Sequence, residues 1–529
     1  MMAAVRFVLG ILMKRVAVTV AGIGLVSLAV SAAADVKLPA IFSDNLVLQS
    51  GVKCPIWGTA KPGEKVHIAI GDQQFSAQAA EDGKWSATIG PLRVGGPLEM
   101  LVKGDNAIRI ANVAVGEVWI CAGQSNMEML MNVSGDRPVM NASEERAAAD
   151  YPLIRTFVVP HAIAAVPLDE GKGQWAVCTT QSIRGFSATA YFFGRDLHKR
   201  LGRPVGLIQT SWGGTPLEPW TPPQAVAAEP AFVPIVEYWQ TWARRYDEAQ
   251  VRYRAAYARW EDEVNAAKAA GNPAPAAPRP LLTPYFHNSP SQAYNAMIHP
   301  LIPYAIKGAI WYQGEGNVDR AYQYRRTFPA LIHGWRQAWN QGDFPFLFVQ
   351  LANYTPVLPQ PKSSEWAELR EAQTMALKLP KTGMACAIDI GEESNVHPKN
   401  KQDVGARLGL AAMKVAYGRD IVSSGPMYES MQVEGNMIRV KFNSTGGGLV
   451  ARGESLSGFA VAGKDRQFVW AQAKIEGDGV VVWSANVPKP MAVRYAWANN
   501  PVCNLYNGAG LPASPFRTDE WPGVTASKK

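Results

Sequence analysis

The stretch EVWICAGQSNMEML, residues 117–130, joins an apolar run to residues typical of a helix start. Residues 117–123 predict a buried strand, and residues 125–131 predict the first turns of a helix. Such a junction lies at the carboxyl edge of a parallel sheet, where open α/β folds place their sites. Ser125 at the junction is therefore a candidate nucleophile, although an ordinary N-cap serine fits the same residues.

Similar apolar runs recur through residues 116–425 and alternate with helical patterns. Near-continuous apolar strands are typical of a parallel sheet that is covered on both faces. The region is therefore predicted to be one α/β layered domain. The further strand-like runs are PVGLIQTSW (204–212), IKGAIWYQG (306–314), FPFLFVQLA (344–352) and TGMACAIDI (382–390), and the clearest helical patterns span 189–201 and 322–339.

An insertion at 236–280 interrupts this domain. Aromatic residues recur at steps of three and four from Trp239 to Trp260, which predicts one stripe of a long helix. The proline-rich stretch 271–280 ends it. The stripe packs on the domain or on a partner helix in one interpretation, and some of its rings form a sugar-binding rim in the other.

Short alternating strands flank the α/β domain on both sides. Residues 35–115 predict a small N-terminal β-sandwich segment, and residues 426–529 predict a C-terminal β-module. The two segments are either separate modules or halves of one sandwich. With 529 residues, the chain is too long for a single hydrophobic core.

The N-terminal 34 residues read as a signal peptide. Lys14 and Arg15 precede a long apolar run, and Ala32–Ala34 provide small residues for cleavage. An uncleaved membrane anchor is the alternative. Export predicts a periplasmic or extracellular protein without stable membrane association after cleavage. Five widely spaced cysteines predict no zinc ribbon or dense disulfide framework, and a net charge of +8 without a dense basic run argues against nucleic-acid binding.

A serine nucleophile requires a base, and His397 has the most suggestive surroundings of the seven histidines. It follows the apolar run 382–390 on a polar loop that also contains Asp389 and Glu392. A carboxylate can orient the imidazole and stabilise its charged form. Residues 211–215 (SWGGT) and 311–315 (WYQGE) form two more strand-end loops, whose glycines and glutamine predict an oxyanion hole.

Taken in order, GQSNM (123–127), SWGGT, WYQGE and HPKNK (397–401) resemble the sialate O-acetylesterase-like branch of the SGNH (GDSL-like) hydrolases. The resemblance extends from about Leu38 to Asp519. It implies a flavodoxin-like three-layer α/β/α esterase domain with accessory, jelly-roll-like β-sandwich segments. It also implies a carbohydrate O-acetylesterase that uses no metal and no cofactor.

The resemblance assigns roles by residue. It implies Ser125 as nucleophile, His397 as base, and an oxyanion hole from Ser125, Gly213 or Gly214, and Gln313. Glu315 is grouped with the substrate-binding residues and orients Gln313 or neighbouring loops rather than reacting itself. Arg370 is a candidate for a sialate carboxylate, and Trp212 and Trp220 are candidates for neutral sugars.

The residue that would orient His397 departs from the family pattern, in which an aspartate lies shortly before the catalytic histidine. This chain has Ser394 and Asn395 there, so Asp389, Glu392 or a Ser/His dyad remain open. The predicted substrate is an acetylated oligo- or polysaccharide, either sialic acid or a plant cell-wall glycan such as xylan or xyloglucan. A non-catalytic carbohydrate-binding protein and a lipase or thioesterase are the alternative functions.

Overall fold

The computed structural model describes residues 35–280 and 286–528. The predicted signal peptide, residues 1–34, lies outside the described residues. Within the two described ranges, no helix has the length and apolar character needed to cross a membrane.

The N-terminal strands alternate buried and exposed residues, as strands with one solvated face do. They are β1 Val47–Gln49, β2 Cys54–Thr59, β3 Lys65–Ile70, β4 Gln73–Gln78, β5 Lys84–Ile89, β6 Gly95–Lys103 and β7 Ala107–Gly123. The 17-residue strand β7 pairs antiparallel with β6 in its first half, and its second half enters the central sheet. The predicted segment boundary between residues 115 and 116 therefore lies inside one continuous strand.

The central sheet has the order β13-β12-β11-β7-β10-β8-β9, and all neighbours are parallel except β8 and β9. Its other strands are β8 Tyr151–Val158, β9 Trp175–Cys178, β10 Val205–Ser211, β11 Gly308–Tyr312, β12 Phe346–Gln350 and β13 Thr382–Cys386. Strands β10, β11 and β12 are buried along their whole length, because helices cover both faces.

The helices are α1 Ser125–Glu128, α2 Ala142–Ala147, α3 Ala188–Leu201, α4 Pro223–Ala228, α5 Val233–Ala269, α6 Ala321–Trp339, α7 Glu365–Met375 and α8 Lys401–Val415. Short 3₁₀ or π segments lie at Ser182–Gly185, Glu218–Trp220, Pro230–Phe232, Phe286–Asn288, Tyr294–Ile298, His299–Leu301, Glu315–Arg320 and Ala376–Lys378.

The side chains of β12 identify the two helical layers. Phe346 and Phe348 contact Phe328 of α6. Leu347, between them, lies on the other face. A Cβ on Gly383 would contact both Leu347 and Ala411 of α8, so Leu347 and α8 are on the same side of the sheet. Successive residues of a strand point to opposite faces, so α6 and α8 cover opposite sides of the sheet. The predicted three-layer α/β/α architecture is confirmed.

The insertion forms the 37-residue helix α5. Its aromatic side chains contact one another along the helix: Trp242 stacks on Tyr246 with ring centroids 5.7 Å apart, and the Tyr257 and Trp260 rings are tilted with centroids 5.1 Å apart. The Trp260 indole donates to the Pro275 carbonyl at 2.8 Å, so the proline-rich tail returns along the helix. The stripe is therefore partly covered by its own chain.

The C-terminal module has its own hydrophobic core. Cys386 at the end of β13 and Ile388 just after it also pack into this core. Its strands are β14 Met427–Glu434, β15 Met437–Asn443, β16 Leu449–Ala451, β17 Phe459–Ala462, β18 Val469–Trp470, β19 Gln472–Glu476, β20 Gly479–Trp483, β21 Ala492–Tyr495, β22 Leu505–Asn507 and β23 Phe516–Arg517. In the described part of the chain, none of these strands pairs with β1–β7.

Candidate active site

Ser125 is the first residue of α1 and directly follows β7 and Gln124. The turn is fixed to the neighbouring strand end, because the Gln124 N–H donates to the Tyr312 carbonyl at 3.0 Å. The Gln124 side-chain oxygen accepts the N–H groups of Gly314 at 3.3 Å and Gly316 at 3.1 Å. These bonds hold Ser125 in place at the carboxyl edge of the sheet.

Gly123 makes this turn possible. Its φ is +143°, and a Cβ there would lie 2.2 Å from the Tyr312 carbonyl oxygen. No side chain fits that gap without moving backbone, so the approach of β7 to β11 requires glycine.

His397 meets Ser125 across the sheet edge, with 2.9 Å between Nε2 and Oγ. The histidine lies on the loop between β13 and α8, where its backbone N–H donates to Asn395 Oδ1 at 2.9 Å. The two residues are 272 positions apart in sequence. Their distance is that of a nucleophile and its base.

The His397 imidazole is held in its neutral form. Burial lowers its pKa from 6.5 to about 4, and the charges of Arg137 and Lys401 act in the same direction. Asp136 acts weakly in the opposite direction. A neutral imidazole can accept the serine proton over a wide pH range.

The two predicted acids lie elsewhere. Asp389 forms a two-point ion pair with Arg407 at 2.6 and 2.9 Å and accepts the Tyr506 hydroxyl at 3.1 Å. Glu392 accepts the Lys399 N–H and pairs with its ammonium, both at 3.1 Å. Within residues 35–280 and 286–528, no carboxylate is hydrogen-bonded to His397.

The predicted oxyanion donors differ in their surroundings. The Ser125 N–H opens α1 and, within the described residues, donates to no acceptor. The Gly213 N–H donates to Glu128 Oε2 at 2.6 Å, and a Cβ on Gly213 would lie 3.4 Å from the Ser125 Cβ. Space around a Cβ on Gly214 is open. Two donors therefore adjoin the nucleophile.

Gln313 points away from this space. Its side chain is fully buried, donates to Asn317 Oδ1 at 2.7 Å and accepts the Tyr324 hydroxyl at 3.0 Å. Its amide links β11 to the following segment 315–320 and to α6. The structure does not bring it to Ser125 as a donor.

A buried polar network that sequence reasoning missed lies beside the nucleophile. Asn126 donates to Glu315 Oε1 at 2.5 Å and to the Val396 carbonyl at 3.0 Å, and Lys401 Nζ donates to Asn126 Oδ1 at 2.6 Å. Asn126 therefore connects α1 to the loop that carries His397. Asn126 belongs to the GQSNM motif and Lys401 to the HPKNK motif. These two motifs are the sequence signal that could have indicated the network.

Burial governs the charges in this network. Lys401 is fully buried, and desolvation lowers its pKa to about 7. Desolvation likewise raises the pKa of Glu315. The Asn126 amide bridges the two residues, and each opposes the shift in the pKa of the other. Glu315 thus lies in the supporting network, as an orienting residue would.

Three stacked rings form a wall next to Gly213. Trp212 lies between His161 and His287, with centroid separations of 4.3 and 4.8 Å. His161 Nε2 is 2.7 Å from Glu128 Oε1, and this contact raises the pKa of His161. Trp212 is half-buried, so the wall is open to a ligand on part of its surface.

The remaining binding candidates are internal. Trp220 is fully buried and packs against Trp311. Arg370 is fully buried and donates to four backbone carbonyls, those of Leu351, Ala352, Ala498 and Asn499, at 2.7 to 2.9 Å. Neither side chain can reach a substrate. No cluster of three or more His, Cys, Asp or Glu suited to a metal ion occurs in the described ranges.

Comparisons with known proteins identify the family of this chain. A family profile described as "Carbohydrate esterase, sialic acid-specific acetylesterase" matches residues 115–263 and 283–414. The chain is 30% identical to a mouse sialate O-acetylesterase over 87% of this chain and 90% of the relative. It is 28% identical to the human protein of that name over 93% of this chain and 95% of the relative.

A solved structure gives the same result. The crystal structure of a carbohydrate acetylesterase from Xanthomonas citri superimposes with a TM-score of 0.77 at 34% identity, covering 92% of this chain and all of the other. The family predicted from the four motifs is thereby confirmed. The chain belongs to the sialic acid-specific acetylesterase family of carbohydrate esterases, and it is a hydrolytic acetylesterase.

Proposed function

We propose that this chain is an exported serine esterase that removes acetyl groups from sugar hydroxyls through an acetyl-serine intermediate. The observation that carries the proposal is the 2.9 Å contact between Ser125 Oγ and His397 Nε2. A neutral imidazole at this distance can take the hydroxyl proton as the oxygen attacks. Export rests on the sequence of residues 1–34.

In the first half-reaction, Ser125 Oγ bonds to the acetyl carbon while its proton passes to His397 Nε2. The carbon–oxygen bond to the sugar then breaks, and His397 returns the proton to the leaving sugar oxygen. In the second half-reaction, His397 takes a proton from water, whose oxygen attacks the acetyl carbon. Acetate leaves and Ser125 Oγ regains its proton.

The oxyanion donors in this mechanism are the N–H groups of Ser125 and Gly213. The Ser125 N–H points from the positive end of α1 and has no acceptor among the described residues. The Gly213 N–H is bonded to Glu128, so the acyl oxygen would take the place of that carboxylate. The buried side chain of Gln313 is not part of the donor set in this proposal.

His397 acts in a dyad in this proposal, without a carboxylate on the other ring nitrogen. Two observations support this view. Asp389 and Glu392 are engaged with Arg407 and Lys399, and burial with neighbouring cations lowers the His397 pKa. A hydrogen-bonded carboxylate would raise that pKa instead.

The substrate we favour is an O-acetylated sugar that carries a carboxylate, of which sialic acid is the first to test. Arg137 is partly exposed, lies near enough to influence His397, and has only a loose ion pair with Asp136 at 3.8 Å. Its guanidinium can therefore bind a carboxylate. Trp212 can contribute only the exposed part of its ring to a sugar, because His161 and His287 stack on it.

The test is acetate release from acetylated sialic acid, xylan, xyloglucan and pectin by the wild type and by Ser125→Ala. We expect the variant to lose at least about 1,000-fold in turnover while it keeps its fold. Ser76→Ala, on the exposed face of β4, is the matched control and should behave as wild type. Undiminished activity in Ser125→Ala would reject the nucleophile.

Two further measurements separate the alternatives. Faster turnover of long-chain than of acetyl p-nitrophenyl esters would identify a lipase-like enzyme instead. For the sialate preference, Arg137→Met should raise KM for acetylated sialic acid and leave KM for acetylated xylan unchanged. Equal effects on both substrates would remove Arg137 from carboxylate recognition.

A further inference from the structure

The C-terminal module contains a cleft of about 600 Å³ that no step of the proposed mechanism uses. We call it the Trp470 cleft. Strands β17, β18 and β21 contribute to its walls together with segments 361–363 and 521–522. Neither Ser125 nor His397, nor any residue bonded to them, lines it. Its volume lies within the range of pockets that bind small molecules.

The lining of the Trp470 cleft has one sign of charge. Lys362, Arg466 and Arg494 line it, and no aspartate or glutamate does. Arg494 is neutralised by a two-point ion pair with the buried Asp519 at 2.8 and 2.9 Å. Lys362 and Arg466 have no ion-pair partner in the described part of the chain. A concave surface with two unpaired cations favours an anionic ligand.

Trp470 provides a fixed aromatic surface at this cleft. Its side chain is 41% exposed, and its indole N–H donates to the Pro359 carbonyl at 2.8 Å, which sets the ring orientation. The other rings are covered: Arg494 lies 4.1 Å from Phe468 and 5.2 Å from Trp497. Among the described residues, no ring or cation stacks on Trp470. Its face is therefore open to a ligand.

The surface continues beyond Trp470. An adjoining cavity of about 280 Å³ shares Trp470 with the cleft and has exposed Val357, Leu358 and Val502 on its walls. Exposed apolar side chains that cluster in this way mark interaction sites. Because the two cavities meet at Trp470, a ligand held on the indole can extend from one into the other.

We propose that the Trp470 cleft binds a carboxylate-bearing glycan chain without hydrolysing it. The cations would pair with the carboxylates, and the indole face would pack on the apolar face of a sugar ring. A glycan is favoured over an acidic protein because the site is concave and the enzyme is a carbohydrate esterase. The inference goes beyond ester hydrolysis, and it holds whether or not Ser125 is the nucleophile.

The test uses the full chain, and binding is measured by calorimetry and affinity electrophoresis. The probes are polygalacturonate and polysialic acid, with deacetylated xyloglucan as the neutral glycan and polyglutamate as the acidic peptide. We expect binding of the acidic glycans to weaken as salt rises. Trp470→Ala and the double variant Lys362→Ala/Arg466→Ala should each weaken it by roughly tenfold or more.

Matched controls are Tyr238→Ala, which removes another exposed ring, and Arg184→Ala/Lys378→Ala, which removes two other exposed cations. Both should bind acidic glycans as wild type does. All variants should hydrolyse p-nitrophenyl acetate at the wild-type rate, so a failure of the catalytic mechanism would appear separately.

Three results would overturn the proposal. They are equal binding of neutral xyloglucan, unchanged binding in the double variant, and tighter binding of polyglutamate through the same residues. Polygalacturonate and polysialic acid both carry carboxylates, and their relative affinities would identify which of the two glycans the cleft prefers.

Discussion

Lowering the pH from about 7.5 to 5.5 should leave the activity of this enzyme almost unchanged. The base must be neutral to accept the Ser125 proton, so kcat/KM rises as pH rises through the His397 pKa. With that pKa lowered to about 4, about 97% of the imidazole is still neutral near pH 5.5. With an ordinary value of 6.5, only about 9% would be neutral there, a roughly tenfold loss.

The groups that face His397 determine the direction of the shift. Burial is the largest cause, Arg137 and Lys401 reinforce it, and Asp136 opposes it. Arg137→Met should therefore move the acid limb of the pH profile upward, and Asp136→Asn should not. The two substitutions shift the His397 pKa in opposite directions, so they form a matched pair on adjacent residues.

The assay is hydrolysis of p-nitrophenyl acetate at subsaturating concentration, read at the isosbestic wavelength so that nitrophenol ionisation does not matter. Ser125→Ala supplies the background rate, and circular dichroism confirms that the fold persists at each pH. A limb with its midpoint near 6.5 would refute the reasoning. It would mean that a carboxylate engages the imidazole after all, as in a triad.

Three further changes probe the framework of the site. Lys401→Met should lower the free energy of unfolding by about 1–3 kcal/mol, because it leaves the buried Asn126 Oδ1 without its donor; urea unfolding measures this, and Lys401→Met/Glu315→Gln should lose less than the sum of the single variants. Arg370→Met should cost about 3–5 kcal/mol by leaving four carbonyls without their donor, yet the folded fraction should keep its KM, whereas a substrate-binding arginine would raise it. Gly123→Ala should either fail to fold or lose more than about 100-fold in turnover, since its Cβ would press on the Tyr312 carbonyl; a wild-type melting temperature and rate would contradict this.

The class of fold and the family could be predicted because they depend on repeated local patterns. The strands in runs 306–314 and 344–352 are buried on both faces, so nearly all of their residues are apolar and the runs can be recognised in the sequence. Ser125 and His397 could be proposed as partners because each follows a strand of the same predicted sheet. Their contact then depends on strand order, which the motifs implied only through the family.

Side-chain direction could not be predicted in the same way. Gln313 is the first residue after β11, and its amide turns inward to Asn317 rather than toward Ser125. Arginine side chains are usually solvated, yet four backbone carbonyls replace water around Arg370. The Arg370 contacts come from chain segments distant in sequence, so neighbouring residues carry no sign of them. The Gln313 partners are near in sequence, but only the folded path of the chain after β11 brings Asn317 and Tyr324 to its amide.

The continuous strand β7 has a consequence for how this protein can be divided. Its first half belongs to the N-terminal sheet and its second half delivers the nucleophile. The N-terminal segment is therefore not an independent domain that recombination could exchange between enzymes. A truncation that removes residues before 107 would take the paired strand β6 from β7, which ends two residues before Ser125. Removal of the N-terminal segment should therefore lower catalytic activity.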